Sequence, residues 1–126
     1  MLMAHPMRDQ YDALDARTKH FAIQIRWLGR QLVNAATSVA ANQRAARRAR
    51  SDKELAAKLS IIVEEADESA FWCELLADLP LPDALRPRLS DLVTEAHELR
   101  AIHAKGRATV RARLRVTLEK GKRVRG

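Results

Sequence analysis

Residues 37–76 read TSVAANQRAARRARSDKELAAKLSIIVEEADESAFWCELL, and this stretch decides the fold. Its first third is rich in small side chains and ends in a crowd of arginines, Arg44, Arg47, Arg48 and Arg50. Positive charge there suits the C-terminal end of a helix. Ser51, with Glu54 three residues on, has the pattern of a capping box, and Asp52 adds negative charge to a first helical turn. From that point Leu55, Leu59, Ile62, Ala66, Ser69, Cys73 and Leu76 recur at alternating steps of four and three, which is one face of a helix. The stretch therefore predicts the end of one helix, a short basic turn and a second helix, folded as an antiparallel hairpin.

Toward the N-terminus the apolar stripe continues as Tyr11, Leu14, Thr18, Phe21, Ile25, Leu28, Leu32, Ala35 and Val39. The phase does not slip near Gly29, where a turn would reset it, and one glycine costs a helix only about 1 kcal/mol. Two arrangements follow: one continuous helix from Asp9 to Ala49, or two helices with a tight turn at Arg26–Arg30. The unbroken phase favours the first. Residues 1–8 read as a disordered N-terminus. Toward the C-terminus, Pro80 and Pro82 end the helix that starts at Asp52. Asp83 is positioned to cap a further helix over Ala84–Lys105, with the stripe Leu85, Leu89, Leu92, Ala96, Leu99 and His103 and a stop at Gly106. Folding each hairpin about its turn sets Ala35 opposite Ala66, Ala66 opposite Ala96 and Cys73 opposite Leu89. The expected class is all-α, an antiparallel up-down four-helix bundle over residues 9–105, its first two helices fused if the phase is obeyed.

The 126 residues suit one domain with one core. Few aromatics, abundant Ala and Leu, and an interior almost free of Gly and Pro agree with a helical bundle. The lone Cys73 excludes an internal disulfide. The N-terminus lacks the apolar core of a signal peptide and no run is long enough to span a membrane, so a soluble cytoplasmic protein is expected. The net charge of +7 is unevenly spread. Residues 105–126 hold nine Lys or Arg and one Glu, whereas residues 1–104 hold fourteen basic and fifteen acidic side chains. Such asymmetry points to an anionic partner, most often nucleic acid. In this tail Val110, Leu114 and Leu118 fit helical spacing, but the residues between them also alternate with arginine as in a strand. The density of like charge reads as a segment that is disordered or ordered only by a partner.

The candidate nucleic-acid-binding residues are Lys105, Arg107, Arg111, Arg113, Arg115, Lys120, Lys122, Arg123 and Arg125 in the tail, helped by Arg44, Arg47, Arg48 and Arg50. The second group serves equally as partners for the acidic run Glu64, Glu65, Asp67 and Glu68. Paired carboxylates on a helix suggest metal, but the carboxylate-bridged sites of bundles also need Glu three residues before His. Here Arg17, Thr94 and Arg100 stand at those positions before His20, His97 and His103, so neither a metal site nor a cofactor is expected. Glu64, Glu65 and Glu68 are then expected to pair with arginines of a neighbouring helix or subunit, or to form a solvated face. Ser38 and Asn42, one turn apart on an alanine-rich face, suggest a polar link across the bundle that fixes register. Phe71, Trp72 and Leu79 lie beside the main stripe and suggest a subunit interface, unless one of them caps the core. Cys73 lies on the apolar stripe with no basic partner, so no catalytic residue is expected.

Several motifs together resemble one family. They are Gly29-Arg30-Gln31-Leu32, Thr37-Ser38-Val39-Ala40-Ala41-Asn42, the run Arg48–Ser51, and Glu64-Glu65-Ala66-Asp67-Glu68-Ser69 followed by Trp72 and Glu74-Leu75-Leu76. Over Arg17–Ile102 the chain resembles the four helix bundle protein family, also called the 23S ribosomal RNA intervening-sequence proteins. It looks more distantly like the accessory proteins of diversity-generating retroelements, which assist a reverse transcriptase. The resemblance implies four antiparallel helices in a ring-shaped homopentamer, no catalytic activity and a role with nucleic acid. The chain departs from that pattern in lacking the leucine-proline turn and further residues between the helix of Phe21 and that of Leu32. The function expected is non-enzymatic: a homo-oligomer, with a pentamer favoured, that binds RNA or DNA non-specifically through its basic residues. The alternative is a structural oligomer or an adaptor for a protein partner such as a reverse transcriptase.

Overall fold

The computed structural model describes residues 6–126, and its three α-helices are α1 (Pro6–Ala46), α2 (Asp52–Ala77) and α3 (Arg86–Arg125). No strand occurs among the described residues, so the all-α class holds. Of the expected four helices the structure has three, because the first two are one. The helical phase from Tyr11 to Val39 is obeyed without a break, and Gly29 has an ordinary negative φ inside α1. No described helix is long and apolar enough to cross a membrane.

The hairpin between α1 and α2 turns where the sequence places it. Ser51 is extended (φ −153°, ψ 160°), and its Oγ accepts the backbone N–H of Glu54 at 3.1 Å. The Glu54 carboxylate reaches back to the N–H of Arg50 at 3.4 Å, so two otherwise free donors at the turn are satisfied. At its other end α2 stops before the prolines, and Arg86 Nη1 donates to the Ala77 carbonyl at 2.9 Å. Asp83 does not cap the last helix directly. It opens a single 3₁₀ turn (Asp83–Leu85), pairs with Arg86 at 3.5 Å, and α3 begins two residues later than expected. Pro87 falls in the first turn of α3, where its missing N–H costs nothing.

The C-terminal segment departs most from expectation. α3 runs through Gly106 to Arg125, so residues 106–126 are not a disordered tail and Gly106 is not a stop. Packing is the reason. Val110 is buried in one core cluster with Ala46, Ala56, Leu59 and Ile62, and Leu114 packs against the same cluster. Burial of these apolar residues offsets the mutual repulsion of the arginines over 106–114. Beyond that the chain continues as an exposed helix, with Lys122, Arg123 and Arg125 favourably placed at its C-terminal dipole. Of residues 1–8, read as disordered, 1–5 lie outside the described residues and 6–8 begin α1.

A second cluster, Leu28, Cys73, Leu76 and Leu89, closes the other end of the hairpins, with Trp72 and Leu79 packed on it. α2 packs against both α1 and α3, but among the described residues no Cα of α1 comes within 8 Å of one in α3. The result is two hairpins sharing α2, open along the side where a fourth helix of a bundle would lie. α1 overshoots the turn between α2 and α3 at one end, and α3 overshoots the start of α2 at the other.

Two substitutions test the continuous helices. A Cβ at Gly106 would meet only Leu59 Cδ1 at 3.9 Å, and one at Gly29 would meet nothing within 4 Å. Gly106→Ala and Gly29→Ala should each raise stability by about 0.5–1 kcal/mol in urea denaturation, because alanine is the better helix former. A loss of stability on either change would mean a turn at that glycine.

Candidate nucleic-acid interface

Both basic groups fall at the end of the molecule that holds the turn between α1 and α2. Ala46 at the end of α1 and Val110 of α3 share one cluster, and this brings Arg44–Arg50 and the last third of α3 together. Arg44, Arg48 and Arg50 line a recess of about 380 Å³ with Glu54 and Lys58 of α2. Lys58 was not among the residues expected from the sequence. Its signal was its place one turn after Glu54 on the exposed side of a capped helix. Arg47 is exposed in the turn but does not line the recess.

Because α3 is helical, the tail cations do not act as one flexible string. Arg107, Arg111 and Arg115 follow each other at four-residue steps, and Lys122 and Arg125 return to the same side. Arg107, Arg111 and Arg115 line an open trough of about 600 Å³ with Ala104, Ala108, Leu114 and Leu118. The face is thus a row of guanidinium heads over an apolar floor. Arg111 also donates to Ser60 Oγ at 3.4 Å, which steers its stem along α2. Lys105, Lys120 and Arg123 lie on other sides of α3 and are exposed.

Arg113 has a different task. It donates to both carboxylate oxygens of Asp52, at 3.0 and 3.2 Å, and so ties α3 to the first turn of α2. The hydrogen bond from Arg113 holds the Asp52 carboxyl below its usual range. Sixty-one residues separate the two in sequence, and only the register of the helices reveals the pair.

Comparison with protein-family models, curated proteins and solved structures found no match to this chain.

The remaining sequence candidates have local partners. Asn42 Nδ2 donates to the Ser38 carbonyl (2.9 Å) and Oγ (3.1 Å), so this pair bonds along α1 and not across the bundle. The polar link between α1 and α3 is instead Gln43 to His103 Nε2 at 2.5 Å, while His103 Nδ1 lies 2.6 Å from the Leu99 carbonyl. Both neighbours, the Leu99 carbonyl oxygen and Gln43 Oε1, are acceptors, so each ring nitrogen can only donate to its neighbour. In the acidic run, Asp67 pairs with Arg100 at 3.8 Å and Glu68 accepts from the Trp72 indole at 3.1 Å. Glu65 is half-buried, and desolvation, then the charges of Glu68 and Glu64, pushes its carboxyl up. Glu64 is exposed. Among the described residues no three Asp, Glu, His or Cys side chains converge as a metal site would need. Trp72 stacks edge-on with Trp27 (5.7 Å) and with Phe71 (5.0 Å), and Leu79 joins the core at that end, while Phe71 stays 53% exposed. Burial pushes the Cys73 thiol up, with Glu74 adding to the shift, which disfavours a reactive thiolate.

The Asp52–Arg113 pair predicts a pH effect of fixed sign. A depressed carboxyl contributes stability that is present above its ordinary value of 3.8 and lost as pH falls through the lowered one. Arg113→Ala should therefore melt below the parent at neutral pH, and the gap should close on acidification below 3.8. Circular-dichroism melts across that range give the answer; a gap that persists in strong acid would assign the loss to packing instead.

Proposed function

We propose that this protein is a non-enzymatic homo-oligomer that binds nucleic acid through its phosphates, without sequence preference. The observation that carries the reading is the row Arg107, Arg111, Arg115, Lys122 and Arg125 on one side of α3, set at the same end as Arg44, Arg48 and Arg50. A rigid row of guanidinium groups suits the repeating oxygens of a sugar–phosphate chain. Arg113 is excluded from this surface by its engagement with Asp52. No Phe, Trp or Tyr occurs after Trp72, so base stacking does not contribute at this end and single strands gain no advantage over duplex from it. The resemblance to the ribosomal RNA intervening-sequence proteins favours the same reading, and an oligomer multiplies a modest patch through avidity.

The experiment is a salt titration of binding to a mixed-sequence RNA and a duplex DNA. It compares the full chain with a variant carrying Arg107→Gln, Arg115→Gln, Lys122→Gln and Arg125→Gln. Affinity of the parent should fall steeply with salt, and the variant should bind more weakly, with a log–log slope on duplex shallower by about 3–4. Arg113→Ala should leave that slope unchanged. Equal slopes for parent and quadruple variant would remove α3 from the interface. Absence of binding to either nucleic acid at low salt would leave the structural-oligomer or adaptor reading in its place.

A further inference from the structure

The open side of the fold and the free end of α1 have complementary shapes. Between α1 and α3, over α2, lies an apolar groove of about 190 Å³ whose walls include Leu32 and Val39 on one side and Leu92 and Leu99 on the other. Its floor is Ala66, Ser69 and Cys73 of α2. At the opposite end of α1, the part that overshoots the hairpin carries an apolar stripe that nothing covers: Tyr11 is 60% and Leu14 53% exposed. One segment thus lacks a partner and one groove lacks an occupant. They cannot satisfy each other within a chain, because both belong to the same unbroken α1.

The spacing of the stripe selects what fills the groove. The α1 positions Tyr11, Leu14, Thr18, Phe21 and Ile25 mirror Asn42, Val39, Ala35, Leu32 and Leu28 about the Arg26–Trp27 peptide. A stripe whose three- and four-residue steps are symmetric about its middle can align with itself under a twofold axis, as an isologous interface requires. We propose that the protein is a two-chain swapped dimer, in which residues 9–25 of each copy lie antiparallel to residues 28–44 of the other, within the other's groove.

The layers that result agree in size. Thr18 of one copy meets the level of Ala35, Ala66 and Ala96 in the other, where the buried side chains are smallest. Phe21 meets that of Leu32 and Ser69, beside Leu92, and Ile25 joins Leu28, Cys73 and Leu89. Charge agrees as well. With α1 and α3 in step at Gln43 and His103, Lys19 falls at the level of Glu95 on the groove wall, and Asp9 at that of Arg44 and Lys105. Two insertions per dimer bury apolar surface on the scale of an obligate homodimer, on the order of 2,000 Å². Each copy thereby completes the other's four-helix bundle.

The test uses the full chain with Leu14→Cys and Val39→Cys together, and an off-register control with Leu14→Cys and Val33→Cys. Residues 14 and 39 are roughly 37 Å apart along one helix, beyond any intrachain disulfide. Mild oxidation should give a disulfide-linked two-chain species from the first variant and little from the control. Light scattering of the unmodified chain at micromolar concentration should give twice the chain mass. A monomer with an intrachain disulfide would show that the chain reverses near Gly29 and fills its own groove, which overturns the swap. So would equal cross-linking of both variants. A five-chain mass, or linked species longer than two chains, would overturn the twofold pairing while leaving self-association intact. The inference deepens the oligomer half of the proposed function; the salt titration tests the nucleic-acid half separately, through α3 side chains that do not line the groove.

Discussion

Burial of one stripe on α2 is the constraint on which the rest depends. Ile62 is fully buried, and Ala66, Ala70 and Cys73 are nearly so, whereas no comparable run exists on α1 or α3. α2 buries two adjoining sides that are apolar but for Ser69, and α1 and α3 each cover one of them. Every other feature hangs on that sandwich: the Ser51 cap and the Arg86 contact hold the two turns, and the pairs Arg113–Asp52 and Arg100–Asp67 pin α3 to the acidic edge of α2. These ion pairs are partly exposed and set register more than they add stability.

Small residues shape the middle of the molecule. Ala35, Ala66 and Ala96 are all buried there, while larger Leu and Ile side chains fill the two ends. This explains why the core divides into two clusters and not one continuous body.

Much of this was legible in the sequence. The Ser51–Glu54 cap and the strict alternation of steps from Leu55 to Leu76 located the central hairpin, and the unbroken phase across Gly29 favoured a single first helix. The C-terminal segment was misread because charge density was weighed above spacing. Val110 and Leu114 keep step with the stripe that ends at His103, and Gly106, with no proline after it, is a weak stop. Once that segment is a helix, the thirteen candidate cations sort into faces, which no linear reading supplies. Arg113 in particular is engaged by Asp52, which comes near only when α3 is extended past Lys105. The link between Ser38 and Asn42 was expected to span helices; both side chains are simply one turn apart on α1, and Gln43, the next residue, makes the crossing to His103.

The absence of backbone contact between α1 and α3 has a consequence for how the chain reaches this state. Backbone packing joins only helices adjacent in sequence, so each docking event closes one short connection and little loop entropy is lost before it is rewarded. Chains of this topology fold fast, hairpin by hairpin. During synthesis, the α1–α2 hairpin has all of its own contacts as soon as Ala77 has emerged, and α3 then docks onto a surface already formed.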